Sequence, residues 1–223
     1  MKAFVVRVWV PDRPGALGAV ASRIGAVRGD VVGIDILERG GGRAIDELVV
    51  VLPDEGLVSL LVGEISQVDG VDVEDVRPVV GDLVDSRLDA LETATCLVAT
   101  ASVGELLGEL VARSRRDFEA EWAVVIDVEE GELVAGSGAP PPPAWLAAFV
   151  SGSRSSAAVV AGECGPDDVA SAMLGVSETA LVLGRPSRPF RSRERRQMAA
   201  LARIADLHRA ELERRVAPST ASA

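Results

Sequence analysis

The chain has 223 residues, which corresponds to one or two domains. Its 34 acidic residues outnumber its 23 basic ones, so the formal net charge is −11, and 48% of its residues are hydrophobic. These values predict a folded chain with a buried core. They argue against a sequence-independent nucleic-acid binder, which needs an excess of lysine and arginine, and we expect no nucleic-acid partner.

Several features of the sequence bear on the cellular compartment. Cys96 and Cys164 are too few for a disulfide framework and predict buried thiols in a reducing compartment. No uncharged apolar run reaches the roughly 18 residues that a membrane span needs. Met1 to Phe4 leads directly into a strand-like segment, which is unlike a signal peptide. We therefore expect a cytoplasmic protein with no membrane partner.

The first 80 residues alternate between strand-like and helical patterns. The predicted elements are a strand over 3–10, a helix from 16 to 28, strands over 31–38 and 44–52 around a glycine-rich turn, a helix over 57–68 and a strand over 71–80. This β-α-β-β-α-β order predicts an antiparallel sheet with both helices on one face, the ferredoxin-like sandwich of an α+β fold.

A short polar link at 81–85 separates this region from a second domain over 86–216, and a frayed tail follows over 217–223. The predicted elements of the second domain are helices over 88–98 and 103–118, a hairpin at 122–128 and 132–135, one or two helical turns at 144–150, a strand at 157–161, a hairpin at 169–176 and 179–184, and a long terminal helix over 190–216.

The most informative segment is D-R-P-G-A-L-G, which covers Asp12 to Gly18 and joins the first strand to the first helix. The first amides of a helix lack internal partners, and together with the positive end of the helix dipole they form a site for a carboxylate or a phosphate. Gly15 has no Cβ, so a ligand can approach the backbone closely. Asp12 is placed to accept hydrogen bonds from an ammonium group. The two features together suit an α-amino acid zwitterion.

The same segment has a purely structural interpretation. Asp12 or a neighbour would cap the helix with its side chain, and Gly15 would only permit the turn. From the residues alone, both interpretations stay open.

Residues 3–80 resemble the ACT domain, a small regulatory module that binds ligands. The matching features are the element order, the Asp12–Gly18 turn and the D-E-L-V-V-V-L strand over Asp46–Leu52. The resemblance implies an amino acid bound where two copies pair, between the loop of one copy and the second strand of the other. The residues implied as ligand-binding are Asp12, Arg13, Gly15, Ala16, Leu17, Gly18, Gly33 and Ile34.

Two points of that resemblance leave the ligand open. Members that bind serine often have Asn at the position of Asp12 or Gly33, and this chain has neither. Other members bind nothing and serve only to dimerise. Pairing also has its own physical motive, because one sheet face and the strand edges need protection, and we expect a homodimer through this domain.

Residues 86–216 resemble a GAF domain. The similarity lies in an initial helix, the hairpin over Trp122–Ala135, the late T-A-L-V-L-G-R-P strand and the long helix that ends the domain. The Gly136–Asp168 segment, where such a domain lines its pocket, is shorter than usual and rich in proline and serine. Whether this domain binds a ligand therefore stays open; we expect no cofactor, and one interpretation is a GAF-like element that only holds partners.

The residues for catalysis are sparse. His208 is the single histidine, and it lies on the apolar stripe of the terminal helix, as expected for a packed side chain and not for a general base. One histidine and two separated cysteines lack the spacing of a metal site. Gly136-Ser137-Gly138 is not a dinucleotide fingerprint. We expect no enzyme activity, no catalytic residue, no metal and no cofactor.

The segment from Arg185 to Arg215 holds ten arginines against four acidic residues. The pattern is typical of a solvated helix face that balances an acidic body, and also of a surface that contacts an acidic partner.

The sequence thus predicts a regulatory sensor without catalysis. An amino acid would bind between paired N-terminal domains, and the second domain would relay the change to a regulated protein partner. The alternative is a ligand-free dimerisation module that regulates such a partner.

Overall fold

A computed structural model describes residues 1–79, 85–160, 165–175, 178–186 and 188–216. Contacts divide the chain into two compact units, Met1–Asp85 and Ser86–Ala223. Cys164, residues 81–84 of the predicted link and the predicted tail lie outside the described residues.

The first unit has the predicted element order and forms an α+β ferredoxin-like sandwich. Its elements are β1 (Lys2–Pro11), α1 (Ala16–Ala26), β2 (Asp30–Gly40), β3 (Arg43–Leu52), a single 3-10 turn (Glu55–Leu57), α2 (Val58–Ile65) and β4 (Asp72–Pro78). The strands form one sheet in the order β2-β3-β1-β4, and every neighbouring pair is antiparallel. The hydrophobic periodicity therefore predicted both the elements and the fold class correctly.

The core of this unit lies between the sheet and its two helices. Alternate residues of a strand point to the same face, so Val6 and Val8 of β1 share a face with Leu48 and Val50 of β3. These side chains pack with the buried stripe of α1, which is Ala16, Val20 and Ile24. The 3.6-residue period of α1 thus matches the apolar face of the sheet, as expected for an amphipathic helix.

The opposite face of the sheet carries a network of charges. Arg7 is only 1% exposed and donates from Nε to Glu47 Oε1 at 2.9 Å. Glu47 also accepts from Arg77 Nη2 at 2.9 Å, and Arg77 Nη1 donates to Asp75 at 3.0 Å. Burial alone would raise the pKa of Glu47, but the guanidinium groups of Arg7 and Arg77 hold that pKa below its ordinary value.

Strand β2 forms a long free edge of the sheet. Its pairing with β3 shifts register between Val31 and Gly33 and again between Ile36 and Glu38. The strand also leaves three apolar side chains partly in solvent: Val32, Ile34 and Ile36 are 47%, 45% and 39% exposed.

The second unit combines a four-stranded sheet with helices. Its elements are α3 (Ser86–Val98), α4 (Val103–Asp117), β5 (Trp122–Asp127), β6 (Glu132–Ser137), α5 (Pro143–Ser153), α6 (Ala157–Val160), β7 (Val169–Met173), β8 (Thr179–Gly184) and α7 (Ser192–Val216). The sheet order is β6-β5-β8-β7, again antiparallel throughout. The predicted strand at 157–161 is wrong, because residues 157–160 form the short helix α6.

Strand β5 is buried on both faces and separates two apolar clusters. Ala123 and Val125 pack with residues of α3, α4 and α7. Trp122, Val124 and Ile126 pack with Leu146 and other residues of α5, β7 and β8. The continuous apolar run W-A-V-V-I reflects this burial on both sides.

The arginine-rich segment is largely structural. Arg185, Arg188, Arg191 and Arg195 are each no more than 8% exposed, so they do not form a solvated face. Arg185 donates to the carbonyls of Phe118, Arg188 and Pro189 and to the carboxylate of Glu194. Farther along α7, Arg209, Arg214 and Arg215 pair with Glu211 or Glu213.

Among the helices that the structure describes, none is long and apolar enough to cross a membrane.

Candidate functional site

The loop between β1 and α1 turns sharply into the helix at Gly15. That residue is the N-cap of α1 and has φ +85°, a left-handed conformation that glycine adopts without steric cost. A Cβ on Gly15 would meet no atom within 4 Å, so the backbone conformation is what requires glycine here. The amide of Asp12 donates to Gly42 O at 2.9 Å, which ties the loop to the tip of the β2–β3 hairpin.

The start of α1 leaves peptide N–H groups available. The Ala16 amide donates to Arg13 O at 3.3 Å, and the first turn of the helix closes with Ala19 N to Gly15 O at 3.0 Å. No side chain caps the helix, so the interpretation of Asp12 as a plain N-cap is wrong. Within the described ranges, the amides of Leu17 and Gly18 have no hydrogen-bond partner. They are oriented donors at the positive end of a helix, as an anionic group requires.

The predicted loop residues differ in their access to solvent. Asp12, Arg13, Gly15 and Gly18 are exposed, and Leu17 is half-buried. The Ala16 side chain packs in the core, so this residue offers a ligand little more than its backbone. The loop therefore presents one carboxylate, one guanidinium and two peptide donors.

A second carboxylate lies close to this loop. Asp46 in β3 is only 4% exposed, and its Oδ1 is buried without a hydrogen-bond partner among the described residues. Burial raises the pKa of Asp46; the Arg39 charge lowers it, and the Asp12 charge raises it further. In the sequence, Asp46 is recognisable only as part of the strand D-E-L-V-V-V-L. Its place in the apolar alternation of β3, two residues before Leu48, was the signal that it faces the helices.

Gly33 and Ile34 lie on the free edge strand β2. A Cβ on Gly33 would come within 3.1 Å of Val49 Cγ2, so close packing between neighbouring strands accounts for this glycine. Ile34 is 45% exposed. No hydrogen bond within the described part of the chain joins either residue to the β1–α1 loop. Their contribution to a site shared by two copies stays a prediction.

Each unit also contains a cleft away from this loop. In the first unit, an open cleft of about 510 Å³ lies beside the last residues of α1, Ala26 and Val27, and is also lined by Pro53 and Leu57. It is at the opposite end of α1 from Gly15. In the second unit, a cavity of about 160 Å³ is lined by residues that include Val150, Ser171, Met173 and Arg195. Neither contains a residue that the sequence predicted to bind a ligand.

The second unit contains His208 and the Gly136-Ser137 pair, which the sequence singled out. His208 Nε2 lies 3.0 Å from Thr100 O, so this imidazole is a partly buried packing residue. Gly136 and Ser137 belong to strand β6, not to a phosphate-binding turn. In the part of the chain that the structure covers, no group of three or more His, Cys, Asp or Glu residues could hold a metal ion. Cys96 is half-buried and not bonded to another cysteine.

Comparisons with known proteins add only distant likenesses. No family model and no curated protein matches the chain. An unknown protein from Galdieria sulphuraria is 16% identical over 45% of this chain and 64% of that one, with a TM-score of 0.32. A formyltetrahydrofolate deformylase from Pseudomonas putida KT2440 is 16% identical over 44% of this chain and 38% of that one, with a TM-score of 0.27. The chain thus spans less than two thirds of either structure, and the resemblances to ACT and GAF domains stay predictions.

Proposed function

We propose that this chain is a non-catalytic regulatory protein that binds a small amino acid at the β1–α1 loop of an ACT-like domain. The observation that carries the proposal is the pair of unpartnered peptide donors at Leu17 and Gly18, in the same loop-to-helix segment as the exposed carboxylate of Asp12. Donors at a helix start favour the carboxylate of an amino acid, and a neighbouring carboxylate favours its ammonium group.

We further propose that two copies pair through β2. Both edge strands carry four charged residues: Asp30, Asp35, Glu38 and Arg39 in β2, and Asp72, Glu74, Asp75 and Arg77 in β4. They differ in length, eleven residues against seven, and in that β2 also has three exposed apolar side chains. A long edge with exposed apolar side chains favours edge-to-edge pairing. A second copy on β2 would cover Ile34 and complete a site at the seam.

The test is a screen of the twenty amino acids by thermal shift on the full chain, followed by calorimetric titration of any that respond. A ligand that binds only the folded state raises the melting temperature in proportion to the logarithm of its concentration once saturating. Paired substitutions in α1 then locate the site. Gly18 and Gly25 are both exposed helical glycines whose Cβ would meet nothing within 4 Å.

Gly18→Leu should weaken binding at least about tenfold, because helical side chains lean toward the N-terminus and the new one would cover the free amides. Gly25→Leu makes the same change near the other end of the helix and should leave binding unchanged. Both variants should fold at least as stably as the parent, since a glycine within a helix is unfavourable. Equal binding by the two variants would place the site elsewhere.

The alternative function, a ligand-free dimerisation module, predicts a different result. No amino acid would shift the melting temperature at millimolar concentration, while the chain would still form a dimer. The apolar edge of β2 is the observation that supports this alternative.

A further inference from the structure

Asp46 is an acidic residue on the apolar face of the first sheet. In the sheet it pairs with Val8 of β1 and Ile36 of β2, and it shares its face with Leu48 and Val50. That face packs against α1 and α2, and Val8, Leu48 and Val50 are completely or almost completely buried there. An apolar residue would suit this position, because a buried carboxylate loses its hydration.

The carboxylate of Asp46 also lacks the partners that normally compensate such burial. Its Oδ1 is sealed from solvent and accepts no hydrogen bond, and no ion pair reaches either oxygen within the described residues. Arg7, by contrast, is buried to a similar degree on the other face and is paired with Glu47. The unit therefore pairs the buried charge of Arg7 with Glu47 and leaves the buried carboxylate of Asp46 without such a partner.

The charges around Asp46 show what would satisfy it. Asp12, in the loop that leads into α1, is near enough for its negative charge to act on Asp46, and Arg39 of β2 is near enough for its positive charge to do so. Arg39 is exposed and forms no ion pair with Asp46. Two carboxylates whose charges act on one another favour a compact cation with several N–H donors, and an ammonium group supplies three.

We propose that Asp46 receives the ammonium group of the bound ligand, so that the site takes molecules with a primary ammonium group and excludes carboxylates that lack one. This inference rests on the proposed function for the location of the site and adds the residue that sets its specificity. Asp12 lines the exposed side of the same site. A buried carboxylate that costs stability and has no structural partner is typical of a functional position.

The experiment compares three classes of probe on the full chain: the amino acids, their N-acetyl derivatives and the amines that lack the α-carboxylate. N-acetylation removes the cation and retains the carboxylate, whereas the amines retain only the cation. Each probe is titrated against the parent and against Asp46→Asn, which keeps the shape and removes the charge. Asp167→Asn, at an exposed position of the second unit, is the matched control for loss of one negative charge.

We expect amino acids to bind the parent and the Asp167→Asn variant equally, and to bind Asp46→Asn at least about tenfold more weakly. N-acetyl derivatives should not compete. If amino acids bind Asp46→Asn as tightly as the parent, or if N-acetyl derivatives bind as well as amino acids, the role of Asp46 is wrong and the proposed function stands.

The experiment also distinguishes the case in which the amino acid ligand is wrong and the role of Asp46 is right. If the amines bind in an Asp46-dependent manner and the amino acids do not, the role of Asp46 stands and the proposed amino acid ligand is wrong. If no probe of any class binds the parent, both proposals are overturned. The melting temperature of each variant without a probe confirms that it is folded before its binding is compared.

Discussion

At the scale of single residues, the two faces of the first sheet treat buried charge in opposite ways. Arg7 lies opposite Glu47 on β3, with its Nη2 2.8 Å from Glu47 Oε1, and its Nε lies 3.9 Å from Glu74 Oε2 on β4. The sequence shows Arg7 only as a charge inside an apolar strand. Its partners come from strands about 40 and 70 residues away, and only the sheet register brings them together.

Glu47→Gln should lower the free energy of unfolding at neutral pH by about 3 kcal/mol, because it removes the carboxylate that pairs with the buried Arg7 guanidinium at 2.8 Å. The pKa of Glu47 is lowered in the folded state from its ordinary value of 4.5. Its contribution is therefore complete above that value and is lost as the pH falls through the lower, folded-state pKa. Urea unfolding should show a smaller difference in the free energy of unfolding between parent and variant at acidic pH than at neutral pH.

A matched control is Glu55→Gln, which removes the exposed partner of Lys2. Exposed ion pairs contribute little, so its unfolding curve should follow that of the parent. A loss for Glu55→Gln as large as that for Glu47→Gln would show that general charge, not the buried network, accounts for the effect.

Asp46→Asn should have the opposite sign. Burial raises the folded-state pKa of Asp46 above its ordinary value of 3.8, so the ionised group opposes folding at neutral pH. At neutral pH, the free energy of unfolding of the variant should be about 1 kcal/mol higher than that of the parent. This gain in stability should disappear at a pH below the ordinary pKa of Asp46, because the group is then protonated in both the folded and the unfolded state. A variant less stable than the parent at neutral pH would mean that the carboxylate has a structural partner.

At the scale of elements, close packing between neighbouring strands decides which small residues are required. Strand β5 pairs Trp122 with Gly184 of β8 on one side and Val124 with Gly136 of β6 on the other. A Cβ on Gly184 would overlap the Trp122 indole, whereas a Cβ on Gly136 would lie 3.6 Å from Val124, an ordinary contact. Two glycines flanking one strand therefore have different roles.

We expect Gly184→Ala to lower the free energy of unfolding by about 2 kcal/mol, because Trp122 must leave its position. Gly136→Ala should change the free energy of unfolding by about a few tenths of a kcal/mol at most. Chemical unfolding monitored by tryptophan fluorescence measures both. Equal effects of the two substitutions would contradict the packing argument.

The elements themselves were largely predictable, because each has a clear period. Helix α1 shows its buried stripe in the spacing of Val20 and Ile24, and the glycine-rich turn marks the β2–β3 hairpin. The segment at 157–160 was assigned wrongly, because a four-residue apolar run has too little length to distinguish helix from strand. The start of α1 after the loop motif was predicted correctly, whereas the ligand-binding role of the loop stays a prediction. The burial of Asp46 depends on strand register and packing that no local pattern contains.

At the scale of the whole molecule, the free edge of β2 predicts a dimer. Ile34→Lys should convert the dimer to a monomer, because a charge on an edge strand opposes pairing. Leu60→Lys places the same charge at a residue of α2 that is 51% exposed and should leave the dimer intact. Light scattering at micromolar concentration should give twice the chain mass of 23.2 kDa for the parent and for Leu60→Lys. A parent that scatters as a single chain would contradict the prediction.

The hydrogen bond from the Asp12 amide to Gly42 O has a consequence at this scale. It joins the β1–α1 loop to the tip of a hairpin whose outer arm is the strand expected to meet the second copy. Occupancy of the loop and association of the two copies would then be thermodynamically linked, and linkage is reciprocal. Dilution of the protein would weaken its apparent affinity for the amino acid, and saturation with the amino acid would hold the copies together at lower protein concentration.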